Sequence, residues 1–177
     1  MLKAVVIAVT VALALAGLTV TSAEANEGAA PGVAAGGAGQ TGADYRALRA
    51  RFPAASLRPS HEGAAAIRCK GAFVWRGYKH PLFGYFYYRY RQRIDWCYNG
   101  TRITALLRRR TVTCCKPLWD FKGHIGNRTF GGLRRPSYFA YTQGKFQACA
   151  AWCFLTRTPW VSQRVFANGR WRYAHGG

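Results

Sequence analysis

The sequence predicts an all-β fold: an antiparallel β-sandwich or barrel of about seven to nine short strands, behind a flexible N-terminal tether with one short helix. Three observations carry this. From Ile67 onward the chain is rich in aromatic and β-branched residues, with Gly or Pro interrupting about every ten residues. Two Asn-Gly pairs, Asn99-Gly100 and Asn168-Gly169, sit between alternating segments. All six cysteines lie in this same region, between Cys69 and Cys153. With 177 residues, 50% of them hydrophobic, the chain can build one core but hardly two.

Residues 1–25 read as a secretory signal. Met1-Leu2-Lys3 is a short basic start, Ala4 to Val20 is uncharged and apolar, and Ala23-Glu24-Ala25 has the form of a cleavage site. The apolar run is about as short as a spanning helix can be. Cleavage near Ala25-Asn26 and an extracellular product are therefore expected over an uncleaved anchor.

Residues 26–66 are expected as the tether. Asn26 to Gly42 is Ala/Gly-rich and nearly devoid of large side chains, so it has little to bury and should stay flexible. Asp44 is placed to cap a helix through Phe52, because Tyr45, Leu48 and Phe52 recur at helical spacing and Pro53 and Pro59 break the chain beyond.

Residues 67–177 form the expected disulfide-linked β domain. Its strongest local signal is Tyr85 to Leu107, which alternates on both sides of Asn99-Gly100. A two-residue type I′ turn there would pair Trp96 with Ile103, Ile94 with Ala105 and Gln92 with Leu107 on one face. The other face would hold Arg89, Arg91, Arg93, Arg108 and Arg110, with Arg91 opposite Arg108 and Arg89 opposite Arg110. A second hairpin turns at Asn168-Gly169 and sets Phe166 against Trp171. Further strands are expected at Ala72–Tyr78, Thr111–Cys115, Leu118–Lys122, Ser137–Thr142 and Lys145–Ala150. Trp96 and Tyr98 beside Cys97 suit an immunoglobulin-like core, but the residue spacing of a true one is missing.

An even number of cysteines in an exported chain implies three disulfides. Neighbours on a strand point to opposite faces, so Cys114 and Cys115 are each expected to reach a different partner among Cys69, Cys97, Cys149 and Cys153. Cys149 and Cys153 can pair only if Ala150-Ala-Trp152 turns. Paired zinc knuckles are absent from this spacing, and no metal or other cofactor is expected.

The segment Tyr90-Arg-Gln-Arg-Ile-Asp-Trp-Cys-Tyr-Asn-Gly-Thr-Arg-Ile-Thr104, with Trp119-Asp-Phe-Lys-Gly-His-Ile-Gly-Asn127 and Tyr141-Thr-Gln-Gly-Lys-Phe146, resembles a family of small secreted actinobacterial proteins. Pro159-Trp-Val161 and Ala167-Asn-Gly169 are similar too. The resemblance spans about Cys69 to Tyr173. It implies an exported, β-rich protein; the family has no assigned activity, and the resemblance brings no catalytic residues.

Charge narrows the partner. The chain carries 26 Lys+Arg against six Asp+Glu, a formal net charge of +20. Like charges facing each other across a ladder destabilise it, so an arginine face calls for an anionic partner, and the interleaved Tyr85, Phe86, Tyr87, Tyr88 and Tyr90 add stacking surfaces. The expected partner is an extracellular polyanion or envelope surface: teichoic acid, anionic lipid or nucleic acid. The competing reading is a bulge that redirects the arginines and leaves them solvated.

Catalysis has little to work with. Asp95 and Asp120 sit beside Arg93 and Lys122, which favours ion pairs over a two-carboxylate glycosidase. Lys122 and His124, with one more of His61, His80 and His175, would suit a metal-free nuclease. Gly123 and Gly126 put His124 on a loop, and nothing in the sequence positions a second histidine. Binding without catalysis is the primary reading and a small secreted nuclease or toxin the alternative.

Overall fold

The computed structural model describes residues 32–52, 67–115 and 117–177. The expected signal at residues 1–25 lies outside them, as does the stretch containing Pro59 and His61.

Among these described residues, nine strands and one helix follow in chain order: β1 (Val33–Thr41), α1 (Tyr45–Arg51), β2 (Arg68–Lys79), β3 (Phe86–Tyr98), β4 (Ile103–Thr113), β5 (Trp119–Gly131), β6 (Ser137–Cys149), β7 (Cys153–Arg157), β8 (Trp160–Phe166) and β9 (Trp171–Gly176). They form two antiparallel sheets, one in the order β1-β2-β3-β4 and one in the order β5-β6-β8-β9. β6 is the longer spine of the second sheet. Its first half pairs with β8 and its second half with β7.

The sheets face each other as a sandwich. Alternate residues of β3 (Tyr88, Tyr90, Ile94, Trp96, Tyr98) are buried against Tyr138, Ala140, Phe146, Val161 and Val165 of the second sheet. Burying one such large side chain contributes about 1.5–3 kcal/mol, which makes the β3 row the main source of hydrophobic stabilisation. Tyr88 and Phe146 stack within this layer with centroids 3.9 Å apart. The all-β class and the sandwich are as the sequence predicts.

α1 is also where Asp44 places it. The Asp44 carboxylate accepts from the Ala47 backbone N–H at 3.0 Å, and the helix lays Leu48, fully buried, against Cys97 and Ala105 on the outer face of the first sheet.

Five local expectations are corrected. Residues 33–41, expected to be flexible tether, form the edge strand β1, paired with β2 from Val33↔Lys79 to Thr41↔Gly71. Poor strand propensity is overridden here by docking: the rings of Trp75 and Phe73 lie across Gly37 and Gly39, where any Cβ would crowd them.

The first hairpin is not a two-residue type I′ turn. Residues 99–102 make a wider loop in which the Asn99 side chain accepts from the backbone N–H groups of Thr101 and Arg102 at 3.2 and 3.0 Å. Only Gly100 there has positive φ, +95°. With a bulge at Cys97/Tyr98, Trp96 pairs with Leu106 and Ile94 with Arg108. The slip is three residues, an odd number, so β4 presents the opposite face from the one expected beyond the turn.

The second hairpin is off by one. Val165, rather than Phe166, faces Trp171, because the loop holds three residues and closes on Gly169 at φ +79°.

The expected pair of strands at 137–142 and 145–150 is the single strand β6. Gly144 does not break it; the Tyr90 ring occupies the space that a Cβ there would take.

Finally, Cys114 pairs with Cys115, beside Cys69–Cys97 and Cys149–Cys153. β4 ends at Thr113, so the doublet lies beyond the strand and the rule of opposite faces does not govern it. Cys149–Cys153 forms as the sequence allowed, through a turn closed by the Ala150 N–H donating to the Trp152 carbonyl at 3.0 Å.

Candidate anion-binding face

The outer face of the first sheet divides into three zones along β3. At one end α1 covers the Cys69–Cys97 disulfide, Ala105 and Leu107. In the middle lies a closed ionic cluster. Asp95 is fully buried and accepts from Arg93 Nη2 at 2.8 Å, from Arg109 Nη2 at 2.9 Å and from the Asp44 backbone N–H at 3.1 Å. Arg109 also reaches the Asp44 carboxylate at 2.9 Å. Burial pulls the Arg109 guanidinium down, but its bonds to Asp44 and Asp95 outweigh this and hold it above its ordinary value. The hydrogen bond from Ala47 and then the Arg109 guanidinium hold the Asp44 carboxyl below its ordinary value. The ion-pair reading of Asp95 therefore holds, as does that of Asp120, which bonds Lys122 at 2.9 Å.

The third zone is open, and here the arginines have no carboxylate partner among the described residues. Arg91 faces Trp75 across the ladder and lays its guanidinium 4.1 Å from the Phe73 ring centroid. Arg89 lies 4.1 Å from the Phe86 centroid and 5.1 Å from that of Trp75. Trp75 and Phe86 meet edge to face at 5.2 Å. The Nε atoms of both arginines are buried and have no hydrogen-bond partner among the described residues. Burial, followed by the fields of Arg93, Arg89 and Arg109, pulls the Arg91 guanidinium below its ordinary value. The cations are held by stacking and repel one another, an arrangement that an anion laid across them would relieve.

The structure thus brings together Arg89, Arg91 and Arg93 of the expected set, adds Arg109, and moves Arg108 and Arg110 to the other face. Arg108 points between the sheets and donates to Gln92 Oε1 and Asn127 Oδ1, both at 2.7 Å, and to the Tyr141 carbonyl at 3.0 Å. It stitches the two sheets together. Tyr88 and Tyr90 also turn inward, to the core. Phe73 and Trp75 are absent from the expected face, yet the sequence carries a signal for them: they alternate with Ala72, Val74 and Tyr78, so they occupy the outer side of β2.

The three described histidines are dispersed. His124 lies in β5, between two bulges and not on the loop its glycines suggested, and shares a 2.7 Å bond with the Tyr90 hydroxyl. Burial, then Arg110 and Arg108, pull its imidazole below its ordinary value. His175 lies in β9, at the opposite edge of the same sheet. His80 accepts at Nδ1 from the backbone N–H groups of Leu82 and Phe83, both at 3.2 Å. Among the described residues no His, Cys, Asp or Glu group has metal-binding geometry. Comparison with protein families, curated proteins and solved structures finds no match to this chain.

Proposed function

We propose that this is an exported, non-catalytic binding protein, akin to the small secreted actinobacterial proteins it resembles, whose open arginine zone takes an extracellular anionic polymer. One observation carries the reading: Arg89 and Arg91 stand side by side on aromatic rings with no carboxylate partner among the described residues, while Arg93 and Arg109 are already neutralised by Asp95 and Asp44. Two residues along a strand span about 6.8 Å, so the pair offers guanidinium forks at a spacing that neighbouring charges of a phosphate polymer can meet. Planar guanidinium suits phosphate or sulfate oxygens, and the rings beneath suit stacking.

Retention on heparin resin, and binding to lipoteichoic acid and to RNA, test this as a function of salt. Arg89→Gln/Arg91→Gln should elute earlier, with the dependence of log affinity on log salt reduced by about 0.7–0.9 for each phosphate no longer neutralised. Arg108→Gln should leave elution nearly where it was. Unchanged elution of the double variant would assign retention to the remaining charge, and cleavage of the RNA would overturn the non-catalytic reading in favour of a nuclease.

A further inference from the structure

We infer that one end of the sandwich docks on an anionic lipid bilayer. Three connections meet there: residues 80–85 between β2 and β3, Pro117-Leu118 before β5, and residues 150–152 between β6 and β7. They expose Leu82 at 84%, Phe83 at 76%, Trp152 at 74% and Leu118 at 54%, and β7 adds Phe154 beside them at 50%. An apolar surface of this kind on a chain of net charge +20 calls for a partner.

The patch is continuous and built. Phe83 stacks on Tyr85, Tyr85 meets Tyr87 edge to face at 5.4 Å, and Tyr87 packs against Trp119 at 6.1 Å. Beyond them a small apolar pocket is walled by Tyr78, Tyr87, Leu118, Trp119 and Phe154. His80 fixes the foremost loop: its ring accepts from the Leu82 and Phe83 N–H groups, and its backbone N–H donates to the Tyr85 carbonyl at 2.8 Å. The two most exposed side chains are therefore held outward on a satisfied backbone instead of folding back.

Charge selects the occupant. Lys79 runs beside the loop at Gly84, and the Arg157 guanidinium lies 5.4 Å from the Tyr78 ring. The neighbouring carboxylate, Asp120, is bound by Lys122, and as the residue after Trp119 it points to the other side of β5. Leu and Phe at the tip, Tyr and Trp behind them and cations at the rim follow the order of a bilayer interface, from acyl chain through the polar boundary to headgroup phosphate. A hydrated polymer would gain nothing from Leu82 and Phe83. The patch adjoins the arginine zone at Phe86 and does not include it.

The test uses vesicles of phosphatidylglycerol mixed with phosphatidylcholine, against phosphatidylcholine alone. The protein should sediment with the anionic vesicles, and lipids brominated near the headgroup should quench a component of its emission that Trp152→Phe removes. Leu82→Ser/Phe83→Ser, which changes only exposed side chains, should weaken vesicle binding at least tenfold and leave heparin elution and thermal melting unchanged. Arg89→Gln/Arg91→Gln should keep the bromolipid quenching. Equal vesicle binding by wild type and Leu82→Ser/Phe83→Ser would overturn the proposal and move membrane contact to bulk charge or to the apolar residues 4–20. It would also be overturned by sedimentation velocity showing, without lipid, a self-association that the same variant abolishes, because a second copy would then cover the patch.

Discussion

Asp95, at no exposure, holds the Arg93 guanidinium two residues away on the same strand, with Nη2 2.8 Å from Oδ1 and Nε 3.0 Å from Oδ2. On an isolated strand this pair would contribute little. Here the carboxylate is out of water, also takes Arg109 and the Asp44 N–H, and so ties α1, β3 and β4 together. Replacing it by Asn keeps the shape but leaves the Arg93 guanidinium without an anion and Arg109 with Asp44 alone. Asp95→Asn is expected to cost about 3–5 kcal/mol, the range for breaking a buried pair, read as a lower urea midpoint at unchanged slope. The double variant Arg93→Gln/Asp95→Asn should be less destabilised than the sum of its parts, since the partners are coupled.

The division of the arginines into bound and open is only partly legible in the sequence. Arg93–Asp95 follows from spacing along one strand. The involvement of Asp44 and Arg109 does not, because it needs α1 folded onto the sheet and β4 in its true register. That register hangs on Asn99, whose side chain satisfies a four-residue loop where the Asn-Gly pair alone signals a two-residue one. Strands whose alternation is local, such as Trp160–Phe166 and Arg68–Lys79, can be read directly. β1 cannot, because what holds it is two rings on its neighbour.

Gly100 and Gly169 separate backbone strain from crowding. Both have positive φ, so an L-residue at either is strained by about 1–2 kcal/mol. Gly100 has open space where a Cβ would go, whereas at Gly169 that Cβ would strike the hydroxyl and ring of the buried Tyr98. Gly169→Ala should therefore lose about 1–3 kcal/mol more than Gly100→Ala, measured by chemical denaturation. Equal losses would mean that Tyr98 moves aside freely.

His124 and His175 give the protein an acid sensitivity. Burial is the first cause in both, and nearby arginines add to it: Arg110 and Arg108 beside His124, Arg76 beside His175. Each folded pKa lies below the ordinary 6.5, so the unfolded chain binds more protons in the window below pH 6.5. Their contribution to stability is complete above pH 6.5 and is lost as pH falls through the folded values. Melting temperature should fall between pH 7 and pH 5. His124→Gln should remove part of this slope and His124→Gln/His175→Gln most of it. A double variant as acid-sensitive as wild type would place the effect on other groups.

The three disulfides differ in the chain they close, and their removal should be graded accordingly. Cys69–Cys97 spans 28 residues and lies beneath α1, where Cys97 has no exposure. Constraint of the unfolded chain alone makes it worth about 3.5 kcal/mol. Cys149–Cys153 spans four residues, worth about 2 kcal/mol on the same scale, and holds the turn that presents Trp152. Cys114–Cys115 joins neighbours and constrains almost no chain. Paired Cys→Ala variants should therefore lose stability in the order Cys69/Cys97, Cys149/Cys153, Cys114/Cys115, with the last close to wild type. Peptide mapping of unreduced protein comes first, since the ranking assumes these pairings. If Cys114/Cys115 proved as costly as Cys69/Cys97, the doublet would have to bond to distant segments in solution, and β4 would have to run on past Thr113 to place them.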